Sequence, residues 1–229
     1  MTTDETSNPW LDLPDKAHYV LPVDREVLVK RPARAKNLRL KVLPDPFIGD
    51  PASAALVLLA LNPGFRPEDI DLNMKSELFI EQNRLNLQHK SIPPFYYFHP
   101  GLGFTGGNIW WSRILRTLLN TGLLREELAQ KLMIIQYFPY HSKEYTDLGA
   151  ILPSQHYSFE LVRKVMADSK PIVIMRSESL WLKAVPELVT YPYFKLRNPR
   201  NPAISPANLG EENFSRLLND YGRALARTK

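Results

Sequence analysis

Two kinds of apolar pattern alternate along this chain. Short blocks that are apolar at nearly every position, "ALVLLAL" at 55–61, "KLMIIQYF" at 131–138 and "PIVIM" at 171–175, are bounded by proline, glycine or charge. Between them run longer stretches whose apolar residues recur every three or four positions. The first pattern predicts strands buried on both faces, the second helices with one face inward. Helices are expected at 74–88 (Leu78, Phe79, Leu85), from Asn108 (Trp111, Ile114, Leu115, Leu118 and Leu119 inward, Gly122 beyond the end) and from Ser154 to Asp168 (Phe159, Val162, Val165, Met166). A last helix over 211–226 carries Glu211 and Glu212 in its first turn and Arg223 near its end, matching the helix dipole. Ser177 is read as the cap of a short helix with Leu180 and Trp181, and "YFKLR", 193–197, as a fourth strand.

This alternation predicts an α/β fold of three layers, α/β/α, around a central four-stranded parallel sheet. Residues 1–50 are punctuated by Pro9, Pro14, Pro22, Pro32, Pro44 and Pro46 and show no sustained period. They are read as an extension packed on the domain of residues 51–229, pinned by Trp10 and Leu13, with a short helix or strand near 25–30. In an open parallel sheet, ligands bind beyond the carboxyl ends of the strands. The informative residues are then 62–66, 136–142, 176–178 and 198–205.

Composition narrows the chemistry. No cysteine is present, which removes disulfides, thiolate zinc sites and iron–sulfur clusters and fits a reducing, cytoplasmic setting. No run of about 18 apolar residues suggests a membrane span, and the acidic start "MTTDETSNPW" is unlike a signal peptide. The net charge of +5 matters through its placement: residues 30–41, "KRPARAKNLRLK", hold six basic residues and no acid, and Lys195, Arg197 and Arg200 form a second cluster. Basic clusters suit a polyanion, and equally a solvated surface.

The pattern G-x-G-x-x-G occurs at Gly101, Gly103 and Gly106, but the residues before it, "PPFYYFHP", are not a buried strand, so a pocket-shaping loop is the better reading. The five histidines have no chelating spacing, and no metal is expected. What remains is a set of amides and aromatics delivered to one sheet edge. Asn62 follows the first strand, Gln136 ends the second, and Tyr140 and His141 come just after it. Phe95, Tyr96, Tyr97 and Phe98 lie in a loop expected over the same edge. Amides read the hydrogen-bonding edge of a planar base, and aromatic rings stack on its face. Taken singly, Asn62 is a proline–glycine turn residue, Gln136 a buried amide and the aromatics a hydrophobic cluster.

Taken together and in order, these segments resemble the uracil-DNA glycosylase superfamily. "LALNPG" is similar to the first motif of its mismatch-specific and single-strand-selective branches, with Ala60 in place of a leading glycine. "FYYFHPGLGFTGGNIWWSRILRTLLNTGL" is similar to the segment that follows, and "FKLRNPRNPAIS" stands where the second motif falls. The resemblance spans about residues 54–226. It implies a monofunctional DNA base glycosylase, with no cofactor, acting as a monomer on uracil or a related damaged base in single- or double-stranded DNA. Asn62 would orient the attacking water, Gly64 and Phe65 would meet the base through backbone amides, Tyr97 or Phe98 would stack on it, and Gln136 would read its edge. Arg197, Asn198, Arg200 and Ser205 would meet phosphates or enter the duplex. "NPRNPAIS" lacks the histidine of that motif, and Arg200 or Ala203 stands where its first serine belongs. His141 is a candidate to replace that histidine, and Arg176, after the third strand, a candidate phosphate ligand. The alternative is a non-catalytic protein of the same fold that binds nucleic acid or a nucleotide. A small-molecule enzyme of flavodoxin-like topology using the glycine loop is a third reading.

Overall fold

The computed structural model describes residues 7–227. Asp4, Glu5 and the rest of the first six residues lie outside this range, as does Lys229 of the basic tail. Five strands are formed: β1 (Phe47–Ile48), β2 (Leu56–Ala60), β3 (Leu132–Gln136), β4 (Ile172–Ile174) and β5 (Phe194–Lys195). They make one mixed sheet of order β1-β3-β2-β4-β5, an α/β fold. β3, β2, β4 and β5 pair in parallel, while β1 runs antiparallel to β3 with Phe47 opposite Ile135. The expected four-stranded parallel sheet is therefore extended by an antiparallel edge strand, which the proline-spaced first fifty residues supply.

The helices are α1 (Pro22–Val29), α2 (Pro32–Ala35), α3 (Glu68–Lys75), α4 (Glu77–Leu87), α5 (Gly106–Ile114), α6 (Arg116–Leu119), α7 (Arg125–Lys131), α8 (Gln155–Ala167), α9 (Glu178–Ala184), α10 (Pro206–Leu209) and α11 (Glu211–Arg227). The single helix expected at 74–88 is two, because Ser76 takes an extended backbone and its hydroxyl caps α4 by accepting from the Phe79 amide. The cap expected at Asn108 is Thr105, whose hydroxyl accepts from the Asn108 N–H. Ser177 precedes α9 as expected but sits in left-handed backbone (φ 56°) and makes no side-chain cap bond.

Alternate strand residues enter different clusters, as period-two geometry requires. Leu56, Leu58, Ala60, Leu132, Ile134 and Val173 pack with Phe79 of α4, Trp111 and Ile114 of α5, and Phe214 and Leu217 of α11. Val57, Leu59, Met133, Ile135, Ile172 and Ile174 pack with Trp10, Leu21, Leu43, Phe159 and Val162 of α8, and Trp181 of α9. Every residue of β2, β3 and β4 is buried, which explains why these strands are continuously apolar. Trp10 and Leu13 are buried as expected, and Leu21 and Leu43 join them as members of the second cluster. A further latch is Asp24 of α1, a buried carboxylate that accepts from Tyr140 Oη at 2.7 Å and from the Ser154 amide at 3.0 Å. No helix among the described residues is long and apolar enough to cross a membrane.

Candidate active site

β2 ends because its last carbonyls are claimed by neighbours and its chain by proline. The Ala60 carbonyl accepts from the Tyr137 amide at 3.1 Å and from Trp181 Nε1 at 3.1 Å. The Leu61 carbonyl accepts from the Phe138 amide at 2.8 Å. Pro63 has no N–H to continue the ladder, and the residue before a proline favours extended backbone, so Asn62 leaves the sheet at its carboxyl edge. β3 lies to one side of β2 and β4 to the other, so β2 stands where the strand order reverses, the usual place for a ligand crevice.

A cavity of about 500 Å³ opens there. Asn62, Gly64, Phe65, Tyr97, Gln136, His141 and Arg176 all line it. Phe98, Arg197, Asn198, Arg200 and Ser205 do not. Phe98 is buried against the edge of Phe95 at 4.9 Å, with the Arg125 guanidinium 4.0 Å from its ring centre. Of the two aromatics expected to stack on a base, only Tyr97 lines the cavity. Arg197, Asn198 and Arg200 are exposed. Their loop is tied to itself by Asn208, whose side chain donates to the Asn201 and Ala203 carbonyls and accepts from the Asn198 amide. Arg176 joins this loop to the cavity, donating to the carbonyls of Pro199 at 2.9 Å and Arg200 at 3.4 Å. It makes no ion pair among the described residues, and burial lowers its pKa, so a positive charge stands at the rim partly stripped of water.

The two amides present different faces. Asn62 Nδ2 donates to the Pro63 carbonyl (2.9 Å) and to Ser142 Oγ (3.0 Å), which leaves Oδ1 to accept. Gln136 is only 4% exposed and its Oε1 is buried without a protein partner. A buried orphan acceptor costs about 1–3 kcal/mol, so its presence in a cavity wall calls for a ligand donor.

Sequence reasoning missed Asp45, which also lines the cavity and is 1% exposed. Its oxygens accept from Tyr96 Oη (2.7 Å), Tyr97 Oη (2.7 Å) and Asn83 Nδ2 (2.8 Å). Burial, reinforced by this carboxylate, pushes both tyrosine hydroxyls well up, so they remain donors. His141 Nε2 faces Asp45 Oδ2 at 3.5 Å, an ion-pair separation too long for a good hydrogen bond, and Nδ1 contacts the Gly64 carbonyl. Nδ1 is thus held by a protein carbonyl, while Nε2 is buried facing Asp45 without a hydrogen-bond partner. A lone acid between two prolines, "LPDPF", gave no periodic or motif signal by which Asp45 could have been found.

The glycine pattern also resolves. No strand precedes Gly101; Tyr96–Phe98 and Pro100–Leu102 are short 3-10 turns. The glycine that matters is Gly107, outside the motif, against which the Tyr97 ring packs. Asn108 donates from Nδ2 to the Tyr97 carbonyl at 2.6 Å, and Trp110 and Trp111 complete that wall. Among the described residues no group of three or more histidines and carboxylates could hold a metal ion. No family model, curated protein or solved structure matches this chain, so the cavity's own chemistry is what speaks to function.

Proposed function

We propose that this chain is a uracil-DNA glycosylase-like DNA base glycosylase that hydrolyses the N-glycosidic bond of uracil or a related damaged base in a flipped nucleotide. The observation that carries the reading is the convergence of Asn62, Tyr97 and Gln136 on one cavity of about 500 Å³, with Gln136 Oε1 buried and unpartnered. That volume lies in the usual range for small-ligand sites, roughly 300–1,000 Å³. An acceptor in the wall suits the ring N–H of a uracil edge. Asn62 Oδ1 is available to accept from a water, turning the water's lone pair toward the sugar carbon. Tyr97 and Phe65 supply faces for the base. Bond cleavage builds positive charge on the sugar and negative charge on the departing base, so placed donors and a placed water do most of the work. Arg176 at the rim is assigned to a backbone phosphate, with the exposed Arg197, Asn198 and Arg200 and the half-buried Ser205 along the same strand.

The test is incubation with uracil-containing single- and double-stranded oligonucleotides, followed by strand scission at abasic sites. Asn62→Ala is expected to lower the rate by roughly a hundredfold or more. Absence of abasic product with any damaged base, or an Asn62→Ala variant as active as the parent, overturns the reading. One observation favours a second reading, a non-catalytic nucleic-acid binder: the 198–205 loop stands outside the cavity with its backbone polar groups turned on Asn208. Salt-sensitive DNA binding with no base release would select it.

A further inference from the structure

Behind the Asn62–Phe65 turn lies a buried charge pair whose protonation can be read from its geometry. His141 Nδ1 contacts the Gly64 carbonyl, and a carbonyl only accepts, so Nδ1 carries a hydrogen. A neutral ring would then aim the Nε2 lone pair at Asp45 Oδ2, 3.5 Å away. Asp45 already accepts from Tyr97 Oη at that same oxygen, and from Tyr96 Oη and Asn83 Nδ2 at the other, an arrangement suited to a carboxylate. A lone pair facing a carboxylate oxygen in a buried site is repulsive, and a second ring hydrogen turns the contact into attraction. This geometry favours the imidazolium form of His141. The other charged group acting on it is Asp69 of α3, also attractive, while Lys143, farther along its own loop, is exposed.

The carbonyl that His141 holds belongs to a peptide in the cavity wall. In a trans peptide the C=O and the following N–H point in opposite directions, so the Phe65 N–H is directed away from the ring. Among the described residues that N–H has no hydrogen-bond partner. A cation on the carbonyl oxygen draws electron density through the amide and strengthens the N–H as a donor.

We propose that Asp45 and His141 are positioning residues, an ion pair that fixes and polarises the Gly64–Phe65 peptide so that the Phe65 N–H donates to a ligand oxygen carrying negative charge. Identifying that oxygen as the carbonyl of a departing pyrimidine anion rests on the glycosylase reading; the charge state of His141 and its grip on the peptide do not. The ligand class follows: a group whose oxygen carries or gains negative charge, rather than a cation. The contribution comes from the segment before β1, which brings Asp45 to the cavity floor.

The experiment begins with the full-length, unmodified chain carrying isotope-labelled histidine, titrated by NMR with the Phe65 amide followed in parallel. The expected result is a His141 imidazolium at neutral pH, with the Phe65 amide shift following its deprotonation at higher pH. A neutral His141 at pH 7, or a Phe65 amide indifferent to the titration, overturns the inference, and neither result depends on any activity. Asp45→Asn is expected to move the His141 transition to lower pH. In base release it is expected to lower kcat roughly tenfold to a hundredfold with KM little changed, and to shift the alkaline limb of the pH profile downward. An active Asp45→Asn variant with an unshifted profile also overturns the inference. If no base is released from any substrate while the NMR coupling is intact, the glycosylase reading alone fails and the pair stands.

Discussion

Gly107→Ala tests how the Tyr97 wall is built. A Cβ at position 107 falls 2.1 Å from Tyr97 Cε1 and 2.5 Å from Cδ1 and Cζ. Ordinary carbon contacts lie at about 3.5–4.0 Å, so ring and helix must separate by more than about 1 Å. The ring has little freedom to yield. Its hydroxyl is held by Asp45 at 2.7 Å, its carbonyl by Asn108 at 2.6 Å, and its face stacks on Tyr96 with centroids 4.6 Å apart. Overpacking of this kind costs about 1–3 kcal/mol, and losing the bond to a charged carboxylate about 1.5–3 kcal/mol. Alanine returns about 1 kcal/mol of helix propensity, leaving a net loss of roughly 1.5–5 kcal/mol. Urea denaturation followed by tryptophan fluorescence should show a lower midpoint at unchanged slope. Gly106→Ala is the control: its Cβ meets only the flexible Arg66 side chain, at 3.5 Å, and should change stability by less than about 1 kcal/mol. A Gly107→Ala protein as stable as the parent, or a Gly106→Ala protein equally damaged, refutes the close-packed account of this wall.

Three further outcomes are expected. Gln136→Leu removes a buried unpartnered acceptor and should raise the urea midpoint, a gain of about 1 kcal/mol, while abolishing base release; a destabilised variant would mean the amide is satisfied in the folded protein. Burial alone would lower the His141 pKa, but Asp45, the Gly64 carbonyl and Asp69 outweigh it and the net shift is upward. The pair's contribution to stability is then complete below the ordinary histidine value of 6.5 and is lost as pH rises through the folded value. Urea midpoints measured from about pH 6 to pH 9 should fall in the parent and fall less in Asp45→Asn. Arg176→Ala removes the two bonds to Pro199 and Arg200, so amide exchange across 199–201 should quicken and the salt slope of DNA binding should drop by about one.

What could be read from the sequence was whatever the chain encodes locally. β2, β3 and β4 announce themselves because burial on both faces forces unbroken apolar runs, and Asn62, His141 and Arg176, which follow them, line one cavity. Asn62, Gln136 and Tyr97 meet there because strand ends and an adjoining loop have predictable addresses. β1 was invisible: two residues in a proline-spaced segment become a strand only because β3 offers an edge, a tertiary effect that propensity does not carry. Asp45 was invisible with it. Asn108 was read as a cap because asparagine favours that position, yet its amide serves the Tyr97 carbonyl and the Arg125 guanidinium, and Thr105 does the capping. Phe98 was grouped with Tyr97 by adjacency, although consecutive residues of a 3-10 turn face different directions, so that one lines the cavity and its neighbour the interior.

The edge strand also sets an order of events. β1 and Asp45 are synthesised before β3 and His141 exist, and so must wait for them. Pairing Phe47 with Ile135 closes a long loop of chain, an entropically slow step compared with the local helices. Because Tyr96 and Tyr97 donate to Asp45, the aromatic wall and the charged floor close together, and a chain that has assembled β2, β3 and β4 but not yet docked the segment around Asp45 lacks both. In refolding, burial of Trp10 and ligand binding should accordingly return together.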